Sequence, residues 1–497
     1  MLVVPARGQV ATPATDTTVL VADPGDVAGE ARAAQALFER RRLRLLPLAL
    51  DAPGGTCDER VGRFCTWYGE GEWYPVPEDD RIVAMRTDLI ATLDSLQPFV
   101  PRNEWLFGQR VWYRTEAGSW DDAWRTARAC GDVADYWCAA LEGFALHGLG
   151  RFEDAYRAYQ RALMAMDSAT ARRWRVPEWP VESSVRDRLD DVKGDAETEA
   201  LLLDRLWQLA DPLYLVAGND RLTEHFARWT VTELRERARN PFHIRWGSDM
   251  DQLTVRHGWE LGWERSPSRD FSSLDDVIGH KHPEGRDYMP PGDVLLSPER
   301  ASPEDLRPDR QRPRSLYAPA YAPVLLPMDA QVGVFPRAAT TLILASPVLP
   351  EDTTYHSGHE HALPWMTAGD QASLADRIGL FAAPVEGGEV RAVTRTGSPD
   401  GALVLEVATG DYVISVESWS PKLRRAGRDR AGVPAARAPA DVATLSSLIL
   451  LSPSVPEPNT PEEAVRTMLP RARVVPGQTF AIAWEVVGLG FRPETLD

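Results

Sequence analysis

The chain has 497 residues, of which 43% are hydrophobic and 26% charged, and its formal net charge is −18. One hydrophobic core does not grow to that length, so we expect about three domains, and the composition excludes wholesale disorder. The negative charge argues against a nucleic-acid partner, and no apolar run approaches the roughly 18 residues that a membrane-spanning helix needs.

The N-terminal part of the chain changes from irregular to helical. Residues 1–28 are rich in Thr, Pro and Ala without periodicity, and they predict a flexible arm. The first apolar run is too short, with too little positive charge before it, to indicate a signal peptide. Residues 29–170 follow a helical hydrophobic pattern and form the predicted helical domain, with segments 60–68 and 83–96 as candidate helices.

Small residues recur 32 positions apart inside this helical domain. The second copy, LEGFALHGLGRFEDAYRAYQRAL, resembles the tetratricopeptide consensus, and the first copy is degenerate but in phase. Such residues let two helices pack closely, and one helical hairpin cannot bury its apolar side alone. We therefore expect a stacked, tetratricopeptide-like solenoid whose packing residues are Gly118, Ala123, Gly143, Gly150, Ala155, Tyr159 and Ala162.

Four cysteines occur as two pairs, each eight positions apart: Cys57 with Cys65, and Cys130 with Cys138. On a continuous helix this spacing separates the Cα atoms by about 12 Å, beyond the roughly 7 Å reach of a disulfide. A disulfide therefore requires a turn, which Gly131 offers in the second pair, whereas the first pair reads as a helix that would have to bend at Gly62. The spacing leaves disulfides and free buried thiols open and disfavours structural zinc.

The middle of the chain divides into three predicted segments. Residues 171–210 read as a connector that ends in a helix. In residues 211–265, Asn219 or Asp220 caps an amphipathic helix that reaches about Arg239 and stops before Pro241. Residues 266–323 are dense in Pro and predict either an extended linker or a loop draped over a neighbour.

The C-terminal residues 324–497 contain about eight short alternating or apolar runs separated by Gly, Pro and Asp turns. This pattern is typical of an antiparallel β-sandwich. The predicted fold class is therefore multidomain α+β, with an N-terminal α-helical tetratricopeptide-like solenoid followed by a C-terminal antiparallel β-sandwich.

Segment 211–265 resembles the bacterial proteins that carry the GWxTD domain. The matching residues include the run Trp246-Gly247-Ser248-Asp249, in which Arg245 stands in place of the family's first Gly and Ser248 in place of Thr, so the likeness is to a diverged member. The motif residues carried over are Asp211, Asn219, Glu224, His225, Trp246 and Asp249. The resemblance implies an extracytoplasmic, envelope-associated protein without an assigned activity, and it extends to the C-terminal sheet region.

Two clusters suggest chemistry. His356, His359 and His361 lie within six positions of one polar run and form a candidate zinc or copper site, although an exposed loop explains them as well. Arg221, Glu224, His225 and Arg228 share a helix. They suggest either a general base beside an oxyanion site or, as we favour, ion pairs that dock the helix.

These observations favour a non-enzymatic interaction or assembly protein. No nucleotide-binding loop, dinucleotide fingerprint or nucleophile elbow occurs, and we expect no cofactor. The helical layer is predicted to hold a protein partner in its groove, while the sandwich contacts a second surface. The alternatives are a metal-binding protein or metal-dependent enzyme centred on the three histidines, and a carbohydrate-binding sandwich that uses Trp365 and Trp419. The oligomeric state stays open.

Overall fold

The computed structural model describes residues 24–49, 57–68, 76–131, 133–266, 276–308, 313–348, 377–396, 402–435, 443–453 and 457–488. Helices dominate the first half of these ranges, and antiparallel-rich sheets dominate the second half. The predicted order of a helical part followed by a sheet part is therefore confirmed. Among the described residues, no helix combines the length and the apolar character needed to cross a bilayer.

Nine helices make up most of the described helical part. The first begins at residue 24, inside the predicted flexible arm, because Val27 and Ala31 are buried in the main core. The prediction of an arm that extends to residue 28 is wrong at that end. The helices are α1 (Pro24–Leu45), α2 (Asp80–Leu96), α3 (Glu104–Glu116), α4 (Trp120–Arg128), α5 (Asp135–Gly148), α6 (Phe152–Ala165), α7 (Ser168–Arg175), α8 (Ser183–Asp191) and α9 (Ala196–Ala210).

A short hairpin separates α1 from α2. Strands β1 (Glu59–Val61) and β2 (Phe64–Thr66) pair antiparallel, and Gly62 forms the turn with a φ of 55°. The prediction of a helix over residues 60–68 is wrong, because the Cys57–Cys65 disulfide, with Cα atoms 5.3 Å apart, closes the segment into a hairpin. Cys130 and Cys138 also form a disulfide, across the turn between α4 and α5.

The 32-residue recurrence corresponds to two similar helical hairpins, α3–α4 and α5–α6. Gly118 and Gly150 occupy the two turns with the same φ of 71°, a left-handed conformation that favours glycine. Ala123 and Ala155 are fully buried at equivalent positions, and Gly143 faces the ring of Tyr159. The small residues therefore mark the turns and the close helix contacts.

The predicted connector over residues 171–210 is largely helical, since it contains most of α7 and all of α8 and α9. Val185 and Leu189 of α8 are buried together with Leu206 and Trp207 of α9 in a second core. This burial explains why most of the charged stretch belongs to α8 and α9, with only a short turn over residues 192–195, instead of forming an extended connection.

The segment that resembles the GWxTD domain forms two helices and a β-ribbon strand. Asn219 caps the first helix by accepting a hydrogen bond from the backbone N–H of Leu222 at 2.9 Å. These elements are α10 (Asp220–Glu236), α11 (Ser248–His257), β3 (Gly262–Ser266) and its antiparallel partner β4 (Asp276–His280).

The described residues of the Pro-rich segment 266–323 pack against neighbouring elements, which agrees with the predicted draped loop and not with an extended linker. Strand β4 pairs with β3, and a short helix, α12 (Gly292–Leu296), joins the second core through Val294 and Leu295. Tyr288 and Tyr317 are buried beside Leu325 of the sheet region. The segment therefore joins the helical part to the sheets.

Two sheets share a core in the C-terminal part. Ile343 and Leu405 of a three-stranded sheet pack with Leu380 and Ile414 of a five-stranded sheet. The three-stranded sheet has the order β10-β7-β6, and the five-stranded sheet has the order β5-β12-β11-β8-β9. Their strands are β5 (Val324–Pro327), β6 (Asp329–Pro336), β7 (Thr340–Val348), β8 (Arg377–Pro384), β9 (Arg391–Thr396), β10 (Leu403–Ala408), β11 (Tyr412–Ser420) and β12 (Arg425–Val433).

The last described strands form two small two-stranded sheets that lie beside β6. Ser447 donates its backbone N–H to the carbonyl of Val334 at 2.9 Å, and the Gln331 side chain donates to the carbonyl of Leu450 at 3.0 Å. The added strands pair as β13 with β16 and β14 with β15. Their bounds, with that of a short helix, are β13 (Thr444–Leu445), β14 (Ile449–Leu451), α13 (Pro461–Ala464), β15 (Ala481–Ala483) and β16 (Val486–Val487). We call residues 444–451 and 480–487 the C-terminal margin.

Candidate functional site

Helix α10 carries most of the predicted polar site residues, and it is buried on nearly every side. It packs across α3, α5 and α6, where the amide of Gln109 donates to the carbonyl of Leu234 at 2.8 Å. Nearer the start of α10, the Phe226 ring lies 5.2 Å from the Tyr159 ring of α6. One face of the layer formed by α3, α5 and α6 is therefore covered by a helix of the same chain.

Glu224 is the central carboxylate of α10. Arg228 donates to its Oε1 at 2.8 Å, and Nε2 of His147 lies 2.7 Å from its Oε2. Burial raises the pKa of Glu224, but Arg228 and His147 outweigh burial and bring the pKa to about 2. A carboxylate that holds its proton so weakly is a permanent anion at neutral pH, which suits an ion pair better than a general base.

Arg228 connects α10 to two other segments. Its guanidinium donates to the carbonyls of Val255 at 3.1 Å and Arg256 at 2.7 Å, both on α11, and also to the carbonyl of Leu316. The predicted ion-pair role of Glu224 and Arg228 therefore matches the observed contacts.

Asp220, at the start of α10, is held by neutral donors. Tyr317 donates to its Oδ2 at 2.6 Å, and Tyr321 donates to its Oδ1 at 3.2 Å. Burial raises the pKa of Asp220 to about 6, against the effect of the Tyr317 hydrogen bond. Burial also raises the pKa of the nearby motif residue Asp211.

Arg221 and His225 complete the predicted cluster but bind no carboxylate of α10. Arg221 donates to the hydroxyl of Ser315 at 2.5 Å, and its guanidinium lies 5.8 Å from the rings of both Trp207 and Tyr317. Nε2 of His225 lies 2.8 Å from the carbonyl of Trp174, and burial lowers the pKa of His225 to about 3. The imidazole is therefore neutral at pH 7.

The disulfide hairpin is fastened to α11 by two arginine–carboxylate pairs, which we call the hairpin clamp. Arg63 makes a bidentate contact with the motif residue Asp249, at 2.6 and 2.7 Å. In the second pair the arginine lies on the helix: Arg256 of α11 makes a bidentate contact with Glu59 of the hairpin at 2.7 and 2.8 Å. Trp246 donates its indole N–H to Asp251 at 2.8 Å and thereby holds the start of the same helix. Part of the motif therefore acts as a docking surface for the hairpin.

A second buried charge cluster follows α11. Glu260 accepts hydrogen bonds from Arg235 and Lys281, each at 2.7 Å, and these two cations lower its pKa to about 2 although burial alone would raise it. His257 lies beside the cluster, and neither of its ring nitrogens has a hydrogen-bond partner among the described residues. Burial lowers the pKa of His257 well below its usual value, so the ring packs as a neutral aromatic against Tyr68.

Arg430 and Glu417 join the helical part to the five-stranded sheet. They form a fully buried ion pair at 3.1 Å, and Arg430 also donates to the carbonyls of Leu209 at 3.1 Å and Asp211 at 3.0 Å. Glu417 accepts the backbone N–H of Leu215 at 2.9 Å. Asp211, the first motif residue, therefore marks the junction between the two parts.

Several of these partners were missed by sequence reasoning. His147 lies in the last turn of a repeat helix, Lys281 lies in a Pro-rich stretch, and Arg430 lies in a charge-rich strand. His147 meets Glu224 across a long sequence separation, whereas Lys281 and Arg430 meet Glu260 and Glu417 across separations of 21 and 13. The local hydrophobic pattern around these positions does not indicate that their charged side chains are buried.

The remaining predicted residues fall into two groups. His356, His359, His361 and Trp365 lie outside the described residues. Trp419 is half-buried, with Arg377 over its ring at 5.1 Å and its indole N–H donated to the carbonyl of Tyr321 at 3.3 Å. Over the described ranges, no group of three or more His, Cys, Asp or Glu side chains is arranged to hold a metal ion.

The described residues also form two concave features, one beside the end of α10 and one at the C-terminal margin. A narrow cleft of about 20 Å³, the size of one water molecule, is lined by Trp105, Trp137, Leu234 and Arg237 among others. An open depression of about 640 Å³ adjoins the C-terminal margin and is lined by residues 336–338 and 485–488. The margin itself presents a row of exposed apolar side chains, namely Leu445, Leu448, Phe480, Ile482, Trp484 and Val486.

The arrangement separates two kinds of surface. The ionic groups around α10 contact other parts of the same chain, whereas large apolar side chains face outward at the C-terminal margin. No protein-family model, no curated protein and no solved structure matches this chain.

Proposed function

We propose that this chain is a non-enzymatic interaction or assembly protein that works outside the cytoplasm and contacts its partner through the C-terminal margin. The observation that carries the proposal is the outward row of apolar side chains there, because contiguous exposed apolar surface marks interaction sites on soluble proteins. Trp484 at 51% and Leu448 at 60% exposure are large side chains to leave in water.

The margin is apolar on both faces. Ile449 and Leu451 of β14 point into a core with Phe335 and Leu344, whereas Ile482 and Trp484 point away from it. A strand with one solvated face normally alternates apolar and polar residues, and apolar side chains on both faces are typical of a strand covered on both sides. A partner that covers the outer face would shield both apolar faces of these strands from water.

The helical part supports this proposal as a rigid base. In our interpretation it is a tetratricopeptide-like unit whose groove holds α10, and the two C-terminal sheets form a sandwich. The hydrogen bonds of Arg228 and the ion pair of Arg430 fix buried polar groups against other parts of the same chain. The partner-binding role therefore moves from the helical groove to the sheets.

The location outside the cytoplasm rests on two independent features. Both cysteine pairs form disulfides, which persist in oxidising compartments and are rare in the cytosol. The resemblance to GWxTD-domain proteins, through Trp246 and Asp249 above all, implies the same location.

A metal-binding role for His356, His359 and His361 is a second proposal, supported by three imidazoles within six positions of the sequence. Metal analysis of the purified chain separates it from the first proposal. Stoichiometric zinc or copper that is lost when all three histidines are replaced by Ala would favour the metal site.

Site-specific photo-cross-linking of the full chain in its native cells tests the interaction proposal. A photoreactive phenylalanine analogue replaces Ile482 on the margin or, as a matched control, Leu201, which is similarly exposed on α9 of the helical part. We expect discrete cross-linked species from position 482 that disappear when Trp484→Lys is added, and none from position 201. Equal, diffuse cross-linking from both positions would contradict the proposal.

A further inference from the structure

The C-terminal margin ends in an open strand edge. In the described residues β15 pairs with β14 and β16 pairs with β13, and neither has a partner on its other side. Glu485 turns both its backbone groups inward: its carbonyl accepts from the N–H of Ser446 at 3.0 Å, and its N–H donates to the Ser446 hydroxyl at 2.9 Å. Backbone groups alternate in direction along a strand, so those of residues 482, 484 and 486 point outward.

Among the described residues, this edge has neither the charges and proline nor the covering element by which proteins often prevent edge pairing, although both of its strands are short. Residues 481–487, AIAWEVV, contain no Lys and no Pro, and their one charged residue, Glu485, is paired with Arg337. Natural edge strands are usually protected by charges, proline or a covering element. An edge without these devices is a template for another strand.

The same residues carry the exposed apolar face. Ile482, Trp484 and Val486 are 47%, 51% and 38% exposed, whereas the alternate residues between them are less exposed. Leu445 is the register partner of Val486, and cross-strand partners share a face, so β13 adds to the same apolar surface. A strand added at this edge would therefore gain both backbone hydrogen bonds and apolar contacts.

We infer that the added strand is residues 481–487 of a second copy of this chain, paired antiparallel about a two-fold axis at Trp484. This inference rests on the proposed function of the margin. In that register Ile482 lies opposite Val486 of the partner copy, and Glu485 lies opposite Ala483. A two-fold interface uses one patch twice, so the patch must complement itself. This register does so, because it sets apolar residues against each other and opposes no like charges.

Charge and area both favour a second copy. The net charge of −18 repels two copies over most of their surface, so contact is least unfavourable where a patch is almost uncharged. The six exposed apolar side chains of the margin present on the order of 500 Å² per chain, before the strand backbone and adjacent residues are added. Stable interfaces bury about 800 Å² per partner, so the margin supplies most of the required surface.

The first test is the mass of the oxidised full chain in solution. Light scattering after size exclusion and sedimentation equilibrium should give a concentration-dependent dimer of twice 55.2 kDa. Ile482→Lys should weaken the dimer by at least about tenfold, since it places a cation against Val486 of the other copy. Leu201→Lys is the control and should leave the mass unchanged, and circular dichroism checks that each variant is folded.

The second test addresses the register. The double variant Ile482→Lys/Val486→Glu restores the dimer only if residue 482 of one copy meets residue 486 of the other. Hydrogen exchange should also show concentration-dependent protection at the amides of residues 482, 484 and 486, but not at 483 and 485.

The outcomes separate this inference from the proposed function. A chain that stays monomeric at every concentration, with position 482 cross-linked to a different protein, overturns the dimer and leaves the interaction role in place. A dimer that Ile482→Lys leaves intact, or that the double variant fails to restore, overturns the edge pairing. If the chain neither dimerises nor forms cross-links from position 482, the edge pairing and the interaction role of the margin are both overturned.

Discussion

The pKa of a buried carboxyl group in this protein depends on whether cations or neutral groups contact it. Arg228 and His147 stabilise the charged form of Glu224, so its pKa falls to about 2 despite burial. Asp220 receives hydrogen bonds from two tyrosines, which compensate burial only in part, so its pKa rises to about 6. The identity of the partner, more than the depth of burial, sets the direction of the shift.

These shifts predict opposite pH dependences for two matched substitutions. The raised pKa of Asp220 means that its favourable contribution is present below pH 3.8 and is lost as pH rises through about 6. Asn does not ionise, so Asp220→Asn removes the cost of ionising a buried carboxyl group at neutral pH. We therefore expect this substitution to destabilise the protein by roughly 2–3 kcal/mol less at pH 7 than at pH 4. Urea unfolding at several pH values measures the change.

Glu224→Gln is the opposing case in the same experiment. The contribution of Glu224 is present above pH 4.5 and is lost as pH falls towards about 2, so the cost of this substitution should be greatest at neutral pH. It leaves Arg228 without its carboxylate and should cost about 3–5 kcal/mol at pH 7. If both variants showed the same pH trend, our assignment of the two environments would be wrong.

At the scale of elements, local patterns predict those helices and strands whose capping residues, hydrophobic spacing and turn residues all indicate the same structure. The capping residue Asn219 and the hydrophobic run over residues 83–96 correctly predict helices, and the turn glycines Gly118 and Gly150 mark two helical hairpins. Residues 57–66 were predicted wrongly because their structure depends on a disulfide and on ion pairs with residues nearly 200 positions away. Strand β12, RAGRDRAGV, was missed because its arginines find buried partners only in the folded chain.

The close contact between α5 and α6 predicts a large effect at one glycine. A Cβ atom at Gly143 would lie 2.8–2.9 Å from the ring atoms of Tyr159, which is fully buried and has little room to move. We expect Gly143→Ala to destabilise the protein by about 1–3 kcal/mol through overpacking. Gly29→Ala, in α1, meets nothing within 4 Å and should be neutral or stabilise by up to about 1 kcal/mol. Equal unfolding free energies for the two variants would contradict the close packing.

The hairpin clamp predicts that one ion pair depends on one disulfide. Arg63 and Asp249 meet with ideal bidentate geometry, but Arg63 is 47% exposed, so we expect a coupling of about 1 kcal/mol or less in a double-mutant cycle of Arg63→Ala and Asp249→Ala. Opening the Cys57–Cys65 ring should cost about 2–3 kcal/mol by the loop-entropy model. It should also reduce the coupling, because it releases the hairpin that positions Arg63.

The measurement is the same double-mutant cycle repeated in the Cys57→Ser/Cys65→Ser background. The Cys130→Ser/Cys138→Ser background is the matched control, since its disulfide spans the same number of residues but lies outside the clamp. A coupling energy that is unchanged in the first background would show that the hairpin holds its position without the disulfide.

At the scale of the whole molecule, the helical part and the sheets are joined by a few buried polar contacts and by the Pro-rich segment. Arg430 on β12 reaches the carbonyls at the end of α9, and Tyr317 of the Pro-rich segment reaches Asp220 on α10. The sequence pattern predicts separate parts connected by a linker or a draped loop, because proline and charge dominate residues 266–323. Their packing depends on partners from both sides, which the local pattern does not contain.

This junction predicts that the two parts unfold together in the natural chain and separately once it is broken. Fourteen of the 17 tryptophans precede residue 267, so fluorescence reports mainly on the helical part, whereas circular dichroism reports on both. We expect coincident transitions for the natural chain and separated transitions for Arg430→Met, which leaves Glu417 buried without its cation at a cost of about 3–5 kcal/mol. Arg391→Met removes an arginine that is exposed on β9 and should change the stability by less than about 1 kcal/mol. Coincident transitions in Arg430→Met with an unchanged midpoint would mean that apolar packing in the Pro-rich segment, and not the buried ion pair, couples the two parts.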